Sequence, residues 1–317
     1  MGTGESVLAV VVPCYNEEAV LAETTRRLTA LLDRLTRQGK VSEHSYVLYV
    51  NDGSRDATWQ FITRLHEANK RVRGVNLAGN VGHQNALMAG LTVAVERADM
   101  LVTIDADLQD DVAAMEQMID RYHEGNDIVY GVRSSRESDA WFKRNSAQGF
   151  YRLMQAMGAG TVYNHADYRL MSKRAVEQLL RFRERNLFLR GLVPLIGYRS
   201  ACVTYVRAER FAGESKYPLS KMLGLAVDGI TSFSNKPVRM VLGAGLVFLL
   251  IALGMLAYVL ISCLCGSAVP GWTSLMLSFW FCTGCVLVGL GIIGEYIGKI
   301  YIEVKDRPRF NIESTLL

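Results

Sequence analysis

Asp105, Asp107 and Gln109 stand at alternate positions just after the apolar run Met100 to Ile104. In an extended segment alternate side chains leave the backbone on one side, so two carboxylates and an amide oxygen converge there. Adjacent carboxylates repel one another unless a cation sits between them. Hard oxygen donors without His or Cys suit Mg2+ or Mn2+, held partly by protein and partly by substrate phosphates. Residues 1–215 contain no Walker A lysine motif and no Gly-x-Gly-x-x-Gly run, so NTP hydrolysis and dinucleotide redox chemistry have no support there.

Three more polar clusters follow earlier β-rich runs. Pro13-Cys14-Tyr15-Asn16-Glu17-Glu18 follows Val7 to Val12, and Asn51-Asp52-Gly53-Ser54-Arg55-Asp56 follows Tyr46 to Val50. Asn80-Val81-Gly82-His83-Gln84-Asn85 comes after Arg73 to Leu77, and a fifth strand is expected over Asp127 to Val132. Between the runs, Glu17 to Leu35, Ala57 to Asn69, Gly82 to Arg97 and Val112 to His123 carry helical periodicity. Strands alternating with helices imply an α/β fold with a mostly parallel sheet, which binds ligands beyond the carboxyl ends of its strands. Taken singly, each cluster has a structural reading. Asp56 or Asp110 could cap a helix, and Asn80 with Gly82 could make a turn. Four clusters at four consecutive strand ends instead describe one cleft.

The chain of 317 residues is half hydrophobic, and its net charge of +4 does not describe a dedicated nucleic-acid binder. From Met240 to Gly294 there is no Asp, Glu, Lys or Arg. That length suits two membrane spans, expected near Val241 to Cys263 and Leu275 to Gly298, with a turn at Gly266, Pro270 and Gly271. A buried helical hairpin is the alternative. Lys216, Lys221, Lys236 and Arg239 precede the spans and Lys299, Lys305, Arg307 and Arg309 follow them, which puts both termini in the cytoplasm. Met1 to Val12 has no basic n-region, so no signal peptide is expected. The 6 cysteines show no zinc-type pattern and read as reduced packing residues. The expected organisation is a catalytic domain over 1–215, a juxtamembrane amphipathic helix over 216–238, a two-helix hairpin over 239–299 and a tail over 300–317. Leu219, Met222, Leu223, Ala226, Ile230 and Phe233 form the apolar stripe of that juxtamembrane helix.

Pro13-x-Tyr15-Asn16-Glu17, Asn51-Asp52-Gly53-Ser54-x-Asp56-x-Thr58, Asp105-Ala106-Asp107-Leu108-Gln109 and Arg210-x-x-Gly213-Glu214-Ser215-Lys216 are all present. Together they resemble glycosyltransferase family 2, with its GT-A fold, and within it the polyprenyl-phosphate glycosyltransferases. The resemblance implies that Pro13, Tyr15, Glu17 and Asp52 hold the nucleotide, with Asp105 at the ribose or diphosphate edge. It assigns Asp107 and Gln109 to the metal, and it makes Asp167 the acidic residue beside sugar and acceptor. The Gln-x-x-Arg-Trp motif of processive synthases is absent, which favours a single transfer. Relatives in this family form tetramers, so a homo-oligomer is expected.

The implied acceptor is undecaprenyl phosphate. A phosphate monoester has a second pKa of about 6, so it is already ionised and needs cations rather than a base. Arg133, Lys143, Arg144, Arg210 and Lys216 are candidates, although basic residues among aromatics equally suit a membrane-surface face. The Ser that commonly follows the basic pair is replaced by Ala147, leaving Ser146 as the hydroxyl contact. Asp167 could act as a base or orient a sugar hydroxyl, and a pre-ionised nucleophile favours orientation. The expected enzyme faces the cytoplasm at a bacterial inner membrane and moves one sugar, glucose or N-acetylglucosamine, from a UDP-sugar to the lipid. A non-catalytic membrane scaffold and a processive synthase are the alternatives.

Overall fold

The computed structural model describes residues 6–133, 165–185, 187–206 and 271–317, together with helical positions 238, 240, 241, 243, 247, 250 and 254. The described residues fall into two compact units. The first holds the sheet, its helices and the C-terminal residues from Arg307; the second holds the helical positions from 238 and the last long helix.

All five expected strands form, as β1 (Leu8–Cys14), β2 (Tyr46–Asn51), β3 (Val72–Leu77), β4 (Met100–Thr103) and β5 (Ile128–Arg133). β1, β2 and β4 are buried along their whole length, as expected of parallel strands covered on both faces. Helices α1 (Leu21–Arg37), α2 (Thr58–Ala68), α3 (His83–Ala94) and α4 (Ala114–His123) connect them. Leu21, Leu28, Leu31, Leu32 and Leu35 are buried on the inner face of α1, each contributing roughly 1.5–3 kcal/mol. α3 lies so close to the sheet that a Cβ on Gly90 would stand 2.4 Å from Val11 Cγ1.

The alternation of strands and helices did not reveal β6 (His165–Ser172), which runs antiparallel between β4 and β5. A strand with a fully buried arginine at its centre lacks the apolar alternation by which strands are read. After it come α5 (Lys173–Leu180), α6 (Leu189–Leu195) and β7 (Ser200–Tyr205), which pairs parallel with β5. The last strand, β8 (Ile312–Leu316), pairs antiparallel with β3, giving the order β7-β5-β6-β4-β1-β2-β3-β8. The segment read as a tail is therefore an edge strand of the catalytic sheet.

The second unit contains α7 (Trp272–Val304), 33 residues. Within it Phe281–Val304 is long and apolar enough to cross a membrane, and little of its most apolar part is buried. Such exposure differs from that of a core helix, which is mostly buried. The helix begins at Trp272 and runs past Gly298 to Val304, longer than the expected span at both ends. It is the one helix of this kind among the described residues. The first expected span is described only at isolated helical positions, of which Val241 lies close to Gly289: a Cβ there would come 3.1 Å from Val241 Cγ1. The other positions of that span, and the expected juxtamembrane helix up to 237, lie outside the described residues. Gly289 to Gly294 has the spacing of a dinucleotide fingerprint, but it lies in the middle of a helix without the strand and turn such a site needs.

Candidate active site

The loops after β1 and β2 are stitched together. Asn16 N–H donates to Ser54 Oγ at 3.0 Å, and Arg55 N–H returns a bond to Asn16 Oδ1 at 2.9 Å. Glu17 N–H donates to Thr58 Oγ1 at 3.0 Å, and Ala57 N–H to Glu18 Oε2 at 2.9 Å. The regular helix α1 starts at Leu21, four residues after the expected Glu17, whose carbonyl accepts from the Leu21 N–H at 3.2 Å. Asp56 stands one residue before the N-cap of α2, Ala57, and accepts from the Thr58 N–H at 3.0 Å and from its hydroxyl at 2.6 Å. Pro13 is buried at the root of the loop, while Tyr15 is 42% exposed at its rim. An exposed ring of this kind can stack on a planar base.

Asp52 is buried, and burial raises its pKa against the pull of two backbone amides. Val81 N–H donates to one of its oxygens at 2.7 Å and Gly82 N–H to the other at 3.0 Å. The carboxylate thus pins the loop that opens α3. Gly53 beside it has φ +62°, and a Cβ there would lie 2.5 Å from the Asn80 nitrogen. Only glycine allows the second and third loops to approach this closely.

After β4 the chain leaves the extended conformation, since the strand ends at Thr103 and Leu108 has φ 58°. The alternation expected of an extended segment nevertheless survives. Asp105, Asp107 and Gln109 are half-buried on the open side, while Ala106, Leu108 and Asp110 are buried. A left-handed leucine is strained, and such strain collects at functional loops. Burial pushes the Asp105 carboxyl up to about 6; His83 pulls the other way, and Asp167, Asp110 and Asp107 add to the rise. Carboxylates crowded in this way, together with an amide oxygen, fit a hard divalent cation. Among the described residues no three His, Cys, Asp or Glu side chains form a metal cage, so substrate oxygens would have to complete the shell.

Asp167 enters from β6 and faces this loop. Arg169 donates to its Oδ1 at 2.6 Å and Arg190, from α6, to its Oδ2 at 3.1 Å. Burial alone would raise the Asp167 carboxyl, but the two guanidinium groups outweigh it and hold it well below the usual carboxylate range. His83 Nε2 stands 3.5 Å from Asp105 and 3.9 Å from Asp167, between the two acids.

Arg133, expected to face the acceptor phosphate, donates to Asp110 at 3.1 Å and to Tyr205 Oη at 3.3 Å. Asp110 is buried in this ion pair and does not cap α4, whose N-cap, Ala113, has no side-chain capping bond; Asp111 accepts from the Ala113 N–H at 2.9 Å in the turn before the helix. Lys143, Arg144, Ser146, Arg210 and Lys216 lie outside the described residues.

A family model described as glycosyl transferase family 2 matches residues 9–180. The chain belongs to glycosyltransferase family 2. It is therefore a transferase. Relatives are similar along nearly its whole length: an uncharacterized glycosyltransferase, YkoT, of Bacillus subtilis (strain 168) is 52% identical over 318 residues, 100% of this chain and 94% of the relative. A bactoprenol glucosyl transferase from the SfII prophage of Shigella flexneri is 38% identical over 313 residues, 97% of this chain and 98% of that one. A solved glucosyl-3-phosphoglycerate synthase from Mycobacterium tuberculosis has 19% identity and a TM-score of 0.48, covering 71% of this chain and 76% of the other.

The family 2 match contains every acid of the site but stops short of Arg190. Sequence reasoning missed Arg169, Arg190 and the placement of His83. Arg169 had one signal, its position two residues after Asp167, which matters only once β6 is known to be a strand. Arg190 had none, because its approach to Asp167 spans 23 residues of chain.

Proposed function

We propose that this family 2 enzyme transfers a single sugar, glucose or N-acetylglucosamine, from a UDP-sugar to undecaprenyl phosphate at the cytoplasmic face of a bacterial membrane, with inversion at the anomeric carbon. The observation that carries this reading is the near full-length likeness to proteins named bactoprenol glucosyl transferase, running through the apolar C-terminal helix.

In this reading Pro13, Tyr15, Glu17 and Asp52 frame the nucleotide. Asp107 and Gln109, with Asp105, would hold Mg2+ or Mn2+, which would supply positive charge for the departing diphosphate. The acceptor phosphate is ionised near neutral pH and attacks without a base. Asp167, kept anionic by Arg169 and Arg190, takes no proton. It is suited to accept a hydrogen bond from a sugar hydroxyl and so to orient the anomeric carbon. Lys143, Arg144, Ser146, Arg210 and Lys216 are proposed to gather the lipid phosphate, and α7 to anchor the enzyme in the bilayer that contains it.

The test is transfer of radiolabel from a panel of nucleotide sugars to undecaprenyl phosphate by the full chain in detergent. Label is expected to enter the organic phase only with a divalent cation, and Asp107→Ala should reduce transfer about 100-fold or more. Failure of every nucleotide sugar to label the lipid would overturn the reading.

A further inference from the structure

The cluster after β3 contains a residue whose side chain makes a long-range contact that the proposed chemistry does not use. Gln84, in the first turn of α3, reaches across 105 residues of chain, and its Oε1 accepts from Leu189 N–H at 2.8 Å. That N–H opens α6, whose N-cap, Phe188, makes no side-chain capping bond. Donors in the first turn of a helix have no partner within it, so Gln84 supplies from a distant element what the local sequence lacks. The carbonyl of the same residue is held from the opposite side, accepting from Arg169 NH1 at 3.2 Å. Leu189 is thus fixed at both its backbone groups, and it is itself buried.

Arg190 follows directly. Its guanidinium donates to Asp167 Oδ2 at 3.1 Å, while the other Asp167 oxygen is held by the same Arg169 that holds Leu189. The plane of the peptide from which Arg190 departs is set by the Leu189 carbonyl. A tilt there would be magnified along the arginine side chain. Neighbouring His83 stands between Asp105 and Asp167, and Val81 and Gly82 are pinned by Asp52. One short segment at the start of α3 therefore touches the nucleotide-side loop, the acid pair and the base of α6.

We propose that Gln84 is a positioning residue: by holding the Leu189 backbone it sets Arg190 against Asp167, and through them the carboxylate that orients the sugar. The catalytic half of this statement rests on the function proposed above; the structural half does not. Only an acceptor oxygen is required of Gln84, so Gln84→Glu retains the contact and Gln84→Leu removes it at similar size.

The first measurement is amide hydrogen exchange over residues 187–195 in the full-length protein, which needs no substrate. Gln84→Leu should speed exchange there about tenfold, the cost of one lost buried hydrogen bond, with Gln84→Glu close to wild type. Unchanged exchange in Gln84→Leu overturns the proposal. If Gln84→Leu does not fold, Gln84→Ala is read in its place.

The second measurement is kinetic. Gln84→Leu should lower kcat about tenfold with the donor KM within about twofold, because the contact orients and does not bind. In an Arg190→Lys background the same substitution should add less than about a twofold loss, since the two residues act as one unit. Losses that multiply would show that Gln84 does not act through Arg190. A wild-type enzyme that labels no lipid would overturn the function proposed above, while the exchange measurement would still decide whether Gln84 holds α6.

Discussion

Arg169 donates to Asp167 at 2.6 Å from two residues further along the same strand. Residues two apart on a strand share a face, so β6 presents an ion pair, and not a lone acid, to the cleft. Arg190 reaches the second oxygen from another element. A carboxylate held on both oxygens by arginines is a poor proton acceptor and a well-fixed hydrogen-bond acceptor.

That distinction can be tested by pH. The Asp167 carboxyl lies below its usual value, so it is ionised throughout any practical assay range and its titration falls beneath it. Asp167→Asn should therefore lower kcat, by about 10- to 100-fold for a lost orienting contact, without removing any acid limb of the pH–rate profile above about pH 5. Loss of such a limb in the variant would identify Asp167 as a base.

Gly53 and Gly79 face each other across the second and third loops, yet they should respond differently to substitution. A Cβ on Gly53 would meet the Asn80 nitrogen at 2.5 Å and the Gly79 carbonyl carbon at 2.6 Å, at a φ of +62°, whereas a Cβ on Gly79 meets nothing within 4 Å. Gly53→Ala is expected to cost about 2–4 kcal/mol and to raise the donor KM, since both the clash and the left-handed backbone oppose it. Gly79→Ala should stay within about 0.5 kcal/mol of wild type. Chemical denaturation of both variants decides.

Asp127 provides a stability term that depends on pH. Its hydrogen-bonded pairing with Arg174, aided by Ser172 Oγ at 2.9 Å, holds its carboxyl below the usual value. A carboxyl depressed by folding stabilises above its unfolded pKa of about 3.9, and the gain fades as pH falls through the folded value. Asp127→Asn should lose about 1 kcal/mol at pH 7, a figure limited by the solvent around Arg174. The two proteins should converge in stability once the pH lies below the folded value. A difference that persists there would mean the loss comes from packing.

The C-terminal strand should also be required by the catalytic unit. Ser314 and Thr315 pair with Asn76 and Val75, and Asn76 Nδ2 donates to Glu313 Oε2 at 2.7 Å. Asn51, next to Asp52, donates in turn to Asn76 Oδ1 at 2.7 Å. Deleting residues 312–317 should bare the β3 edge, lower Tm by several degrees and promote self-association, an outcome read by thermal melts and light scattering. A truncated chain with unchanged Tm and dispersity would show that the strand is dispensable.

Much of this protein is legible without coordinates, because its signals are local. Parallel strands announce themselves as apolar runs, and the turn chemistry after each one lies in adjacent residues. Asn51-Asp52-Gly53 and Asp105-x-Asp107-x-Gln109 therefore declare the cleft by themselves, and Met240 to Gly294 declares its apolar character by lacking charge. Even so, neighbours across the fold stay hidden: half-buried Arg133, read as a phosphate ligand, is also paired with the buried Asp110.

What only the tertiary structure decided is which distant segments meet. β6 enters between β4 and β5 against the direction of both, and this brings Asp167 and Arg169 to the acids after β4. α6 then delivers Arg190, and β8 returns from beyond α7 to close the far edge of the sheet. No spacing or periodicity encodes these meetings. They arise because backbone hydrogen bonds along a strand edge, and charges buried beside it, must find partners wherever in the chain those partners lie.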